Sequence, residues 1–150
     1  MSTFLFPDEE SLKALKELVN QSDDFHSLGT IDCRVGFKSG DNVTAVTFQS
    51  YSCTEVATWD VDRLRELDFW IEMEPSQWSS MVKNIKEDGR ANSCYRLNSL
   101  DLSTSGGIIH REDESRGMKF YQYMRSIQEF VDSVRLLNKL SSDKKSGENT

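Results

Sequence analysis

The order of hydrophobic periodicities predicts an α+β domain: a mostly antiparallel five-stranded sheet covered on one face by helices, with a long C-terminal helix. Three stretches carry that expectation. Asp68–Gly89 (DFWIEMEPSQWSSMVKNIKEDG) reads as strand, stop, helix, stop. Phe69, Ile71 and Met73 alternate with Trp70, Glu72 and Glu74, the period of a strand with two unlike faces. Pro75 lacks an N–H for the ladder but suits the first turn of a helix. Trp78, Met81, Val82 and Ile85 then share one helical face, and Gly89 suits the left-handed residue that closes it. The second stretch is Thr30–Tyr51, where alternation at Ile31, Cys33, Val35 and Phe37 is followed by turn residues Ser39-Gly40-Asp41-Asn42 and a second run, Val43–Tyr51. That pair reads as a hairpin. The third is Arg116–Leu140, whose Phe120, Tyr123, Met124, Ile127, Phe130, Val131, Val134, Leu137 and Leu140 form a wide apolar stripe.

The remaining elements follow in order. Pro7-Asp8-Glu9-Glu10 opens a helix to about Asn20, since proline and acids suit a first turn. Leu12, Leu15, Leu18 and Val19 are its buried face. Gln21–Ser27 is a polar connector. Thr54–Trp59 is a third strand, Asp60–Glu66 a charged link, and Arg96–Thr104 a fifth strand on the alternation of Leu100 and Leu102. Residues 1–140 form one domain, and Ser141–Thr150, without an apolar side chain, is expected to be a disordered polar tail.

Composition bounds the function. The chain has 150 residues, 37% hydrophobic and 29% charged, with a net charge of −7. That charge argues against nucleic acid, whose phosphates need a basic footprint, and against anionic membrane. No run approaches the roughly 18 apolar residues of a membrane helix, so stable insertion is not expected. The N-terminus carries no secretory pattern. Cys33, Cys53 and Cys94 are three, widely spaced and without CxxC or HExxH spacing, which argues for reduced thiols in the cytoplasm and for no metal.

Reactive groups are sparse. His110 beside Arg111-Glu112-Asp113-Glu114 is one candidate base, Asp101 is another, and Tyr95 is a candidate oxygen-polarising donor. Gly106-Gly107 lacks the lysine and following helix of a phosphate loop. The tryptophans Trp59, Trp70 and Trp78 weigh more, because indole suits the wall of an apolar cavity.

FPDEESLKALKELVNQSDDF (Phe6–Phe25), DFWIEMEPSQWSSMV (Asp68–Val82), RLNSLDLSTSGG (Arg96–Gly107) and FYQYMRSIQEFVDSV (Phe120–Val134) together resemble the bacterial single-domain type of the sterol-carrier-protein-like family. The match is one of residue classes over nearly all of Phe4–Leu137, and polar IKEDGRANSCYRL departs from the glycine-rich segment usual there. The resemblance implies an apolar tunnel between sheet and helices and no cofactor. It implies that Trp70 lines the sheet side, Trp78, Met81 and Ile85 the helix side, and Phe120, Met124, Ile127, Phe130 and Val131 the closing helix. The expected function is to bind and carry or present a sterol, terpenoid, fatty acid or acyl thioester, passing it to an enzyme that uses it, without chemistry of its own. The alternative is a cone-fold enzyme of the ketosteroid-isomerase or limonene-epoxide-hydrolase sort, using His110 or Asp101 with Tyr95. A third reading is an interaction module whose closing helix docks on a partner.

Overall fold

Helix α1 (Glu9–Asn20) is fastened along an edge strand by its two ends. Asp8 caps it by accepting from the Ser11 N–H at 2.8 Å. Leu12, Leu15 and Val19 turn inward, as the spacing predicts. At its start, Glu9 Oε1 accepts from the Thr58 N–H at 3.0 Å and from the Thr58 hydroxyl at 2.6 Å. At its end, Asn20 donates to the Cys53 carbonyl at 2.9 Å and accepts from the Cys53 N–H at 2.8 Å. These side chains occupy ladder groups that an open edge would otherwise present to another chain. The strand so covered is β3 (Ser52–Trp59), paired antiparallel to β2 (Asn42–Gln49), which forms a hairpin with β1 (Cys33–Ser39). A short helix, α2 (Asp23–His26), joins α1 to the sheet. The computed structural model describes residues 5–137, so the expected tail 141–150 and the last predicted helical residues, 138–140, lie outside them.

From β3 the chain crosses the sheet to its other side. The crossing is a 3-10 helix, Val61–Glu66, which brings Arg63 over the Trp59 ring at 3.7 Å from the centroid. Leu67 then lies against Gly36 of β1, where an added Cβ would meet Leu67 Cδ1 at 2.5 Å. Any side chain at Gly36 would push the crossing away from the sheet. The next strand, β4 (Phe69–Met73), consequently enters parallel to β1, with Val35 opposite Phe69 and Phe37 opposite Ile71. Asp68, just before it, accepts from the Arg34 N–H at 2.8 Å and from Arg116 at 3.1 Å, locking the entry. β5 is only Ile109–His110, antiparallel to β4. The chain is α+β with a five-stranded sheet in the order β3-β2-β1-β4-β5. Three of its pairings are antiparallel and one is parallel, so the sheet is mixed.

Helix α3 (Pro75–Asp88) starts and stops where Pro75 and Gly89 place it; Gly89 has φ 84°. Two sequence expectations are corrected. The predicted strand at Arg96–Thr104 is helix α4 (Leu97–Ser103). Its Leu100/Leu102 alternation misled, because Leu97 and Leu100, three apart, turn inward while Leu102 is 86% exposed. The predicted continuous helix from Arg116 is broken into α5 (Glu114–Gly117), α6 (Lys119–Gln122), α7 (Met124–Asp132) and a 3-10 turn, Ser133–Leu136. Tyr123, at φ −112° and ψ 19°, leaves helical geometry between α6 and α7. The apolar period survives in part: Phe120, Ile127, Phe130, Val131 and Val134 are buried, while Tyr121 and Leu136 are exposed.

The core lies between that sheet face and the helices, and aromatic rings run through it. Phe6 and Phe37 flank Trp78 at centroid distances of 5.5 and 5.9 Å. Phe37 meets Phe130 at 6.0 Å, Phe130 meets Phe48 at 5.1 Å, and Phe48 meets Phe25 at 6.2 Å. The Trp78 indole N–H donates to the Lys38 carbonyl at 2.9 Å, so its one polar atom is satisfied.

Candidate functional site: an arginine-lined basin

The residues expected to line an apolar tunnel fall into two places. Trp78, Met81, Ile85, Phe120, Ile127, Phe130 and Val131 are buried together in the core, with Met124 packed against its edge. Trp70 lies on the opposite sheet face, stacked on His110 at 6.0 Å, its indole N–H donating to Glu72 at 3.2 Å. The candidate enzyme groups have other tasks in the fold. Asp101 Oδ1 accepts from the Ile108 and Ile109 N–H groups at 2.7 and 2.9 Å and so fixes β5. Tyr95 packs against the core. No hydrogen bond joins any two of His110, Asp101 and Tyr95 among the described residues. No cluster of His, Cys, Asp and Glu that could hold a metal occurs among them either. Burial pushes the Cys33 and Cys53 thiols up, the latter to about 12, which makes both poor nucleophiles.

A different site emerges where α3 ends. After Gly89 the chain runs through residues 90–96 to α4, and three buried polar side chains hold this loop by its backbone. Asn84 accepts from the Asn92 N–H at 2.9 Å, Asp132 Oδ1 from the Ala91 N–H at 3.2 Å, and Gln128 from the Leu97 N–H at 2.8 Å. Gln128 also donates to Asp132 Oδ1 at 2.9 Å. Asn84, Gln128 and Asp132 are 9%, 3% and 5% exposed. Burying three such groups is costly unless each finds a partner. Here the partners are the N–H groups of Ala91, Asn92 and Leu97, the Gln128–Asp132 bond and the Asp88 carboxylate, to which Asn84 donates at 3.0 Å. The loop is therefore fastened to α3 and α7.

That fastening sets Arg90 and Arg96 opposite the polar face of α7. With Arg125, Gln128, Glu129, Asp132 and Arg135 they enclose a basin of about 410 Å³, completed by Leu28 and Gly89. Arg135 is held in place, donating to the Asp132 carbonyl and to Glu129 Oε2, both at 3.0 Å. The guanidiniums of Arg90, Arg96 and Arg125 have no ion-pair or hydrogen-bond partner among the described residues. A second concavity, about 530 Å³, shares Arg90 and Arg96 and is lined further by Asp88, Ala91, Asn92 and Ser93. The basin thus sets four guanidiniums against two carboxylates in a chain whose net charge is −7. Burial raises the pKa of Asp132 above the usual aspartate value, against the lowering effect of Gln128, the Ala91 N–H, Arg96 and Arg135.

Guanidinium donors in a fixed fork match the oxygens of carboxylate, sulfate and phosphate, and unpaired ones leave that capacity free. The sequence held a signal for half of this site. Arg125, Gln128, Asp132 and Arg135 recur at spacings of three, four and three, a polar stripe beside the apolar one on the same helix. Arg90 and Arg96 carried none, since only the folded loop brings them to α7.

No family model, no curated protein and no solved structure matches this chain.

Proposed function

We propose that this protein is a binding module for a small molecule bearing an oxyanion, which it seats among Arg90, Arg96, Arg125 and Arg135. The single observation that carries this is the set of three guanidiniums, without partners among the described residues, around a basin whose floor is hydrogen-bonded to α3, α4 and α7. Four guanidiniums face two carboxylates, one of which is already paired with Arg135, so the basin holds excess positive charge that an arriving anion relieves. A volume of about 410 Å³ lies in the range of small-molecule pockets. The net charge of −7 disfavours a long polyanion such as nucleic acid while leaving a small anion free to enter. Three free thiols fit a reducing compartment, so the cytoplasm is the proposed location. None of the helices among the described residues is long and apolar enough to cross a membrane.

The test is calorimetric or NMR titration with inorganic phosphate, comparing the unaltered chain with the double variant Arg96→Ala/Arg125→Ala. Saturable binding, weakened at least tenfold in the variant and by added salt, is the expected outcome. Equal binding by both proteins, or none by either, would overturn the reading.

A second reading keeps the hydrophobic carrier. One observation favours it: a partly enclosed cleft of about 330 Å³ lined by Leu5, Phe6, Pro7, Pro75 and others, beneath which Phe6 touches Trp78. Leu5 is 60% exposed at its rim. A lipid probe that displaces Leu5 and Phe6 would quench or shift Trp78 fluorescence. Unchanged emission with a panel of sterols, terpenoids and acyl chains would remove this reading.

A further inference from the structure

The floor of the basin is not purely cationic, and that narrows what it can accept. Asp132 uses Oδ1 for both of its hydrogen bonds, from Gln128 and from the Ala91 N–H. Its second oxygen, Oδ2, has no partner among the described residues, yet it is not a sealed orphan: the buried unpartnered side-chain atom among them is His26 Nε2. Asp132 lines the basin, and Oδ2 is the carboxylate oxygen left for a ligand there. The groups facing it are Arg90 and Arg96 from the loop, Arg125, Gln128 and Glu129 from α7, and Arg135 from the 3-10 turn. Gln128 cannot turn to serve a ligand, because its oxygen is committed to Leu97 and its nitrogen to Asp132.

An oxyanion held by the guanidiniums would rest beside this carboxylate oxygen. Two bare oxygens in that position repel, while an O–H between them makes a short, charge-assisted hydrogen bond. We infer that the basin selects oxyanions that carry their own O–H donor, hydrogen phosphate or a singly protonated phosphate monoester, over oxyanions that carry none, such as sulfate. The four arginines supply attraction to either anion, and Asp132 supplies the discrimination. The inference rests on the anion-binding reading and adds to it a ligand class. The same logic has been built into the rest of the site: a carboxylate whose first oxygen is fixed by Gln128 and Ala91 cannot rotate its second away.

The experiment compares hydrogen phosphate, sulfate and methylphosphonate at about pH 9, where phosphate keeps one proton and the other two keep none. With the unaltered chain, phosphate should bind at least tenfold tighter than either, a difference of about 1.4 kcal/mol. In Asp132→Asn the amide oxygen can keep the bonds to Gln128 and Ala91 while its NH₂ faces the ligand. The preference should then collapse to within about threefold or reverse, with sulfate bound more tightly than by the unaltered chain. Equal affinities for phosphate and sulfate in the unaltered chain, or a preference that survives Asp132→Asn, would overturn the inference and leave the anion-binding reading standing. Binding of none of the three anions would bring down the anion-binding reading itself. Should Asp132→Asn fail to fold, the methylphosphonate comparison on the unaltered chain decides alone, since that ligand differs from phosphate by the missing O–H.

Discussion

Helix α7 has two faces that solve opposite problems. Ile127, Phe130 and Val131 point into the core, where Phe130 meets Phe37 and Phe48 at 6.0 and 5.1 Å. Arg125, Gln128 and Asp132 point the other way, toward the loop after α3 and the basin it encloses. On the first face the rings and aliphatic groups are one another's partners. On the second, the buried polar groups are satisfied by loop N–H groups, while the guanidiniums above them lack partners among the described residues. A wide stripe of large side chains is thus a poor guide to a ligand, because apolar groups satisfy each other without geometry. Guanidiniums in excess of the carboxylates around them are a better guide, because the excess charge has something left to bind.

The difference can be broken first on the apolar side. Phe130→Ala removes the ring that joins Phe37 to Phe48, and such a truncation in a packed core costs about 3–5 kcal/mol. Chemical denaturation should show the midpoint falling steeply, with phosphate affinity of the remaining folded protein within about twofold of the original. A loss of affinity as large as the loss of stability would mean that the two faces are not separable.

Gln128→Leu comes next, since it attacks the boundary between the faces. Leucine matches the volume but leaves the Leu97 N–H without its acceptor and Asp132 with only one of its two donors, the Ala91 N–H. An unsatisfied buried group costs about 1–3 kcal/mol. Amide exchange should quicken most at Ala91 and Leu97, where the loop is pinned, and much less in β1 and β2. Uniform quickening would show that Gln128 supports the whole fold and not the loop.

The same division explains what could be read from the sequence. The hairpin, β4, α1 and α3 were legible because each has an uninterrupted period bounded by proline, glycine or turn residues. The site was not, for two physical reasons. Arg90 and Arg96 are local to a loop without periodicity, and their approach to α7 depends on three backbone N–H groups donating to the buried side chains of residues 84, 128 and 132. The parallel pairing of β4 with β1 was equally hidden, since it depends on where Leu67 crosses at Gly36. At Leu97–Ser103 the spacings of two and three coexist in one leucine pattern, and the choice of helix is made by contacts outside the segment. The expectation of sterol-carrier-like binding drew on the legible part, the apolar stripe.

On the polar face, Arg125→Ala separates binding from folding. Arg125 is exposed and has no partner among the described residues, so its removal should change stability by less than about 0.5 kcal/mol. Phosphate affinity should nevertheless fall several-fold. An unchanged dissociation constant would restrict the working part of the basin to Arg90, Arg96 and Arg135.

The smallest expected effect sets two carboxylates of opposite habit against each other. Glu9 is held down to about 2 by Lys13, the Thr58 hydroxyl and the Thr58 N–H. Its folded pKa lies below its ordinary value of 4.5, so the stability it adds is present above that value. That stability is lost as pH falls from about 4.5 toward about 2. Asp132 is raised by burial, and the folded state binds its proton more readily than the unfolded chain does. Its ionisation therefore weakens the fold as pH rises above its ordinary 3.8, and that penalty is relieved as pH falls through the raised value. Because the Glu9 side chain is 36% exposed, its contact with β3 is screened, and Glu9→Gln should cost less than about 1 kcal/mol at neutral pH. Denaturation midpoints measured from pH 7 to pH 3 should converge for Glu9→Gln and the unaltered chain. For Asp132→Asn they should show a smaller relative gain on acidification than the unaltered chain. A parallel offset of Glu9→Gln at every pH would mean that the Thr58 contacts, which glutamine can keep in part, matter through geometry and not through charge.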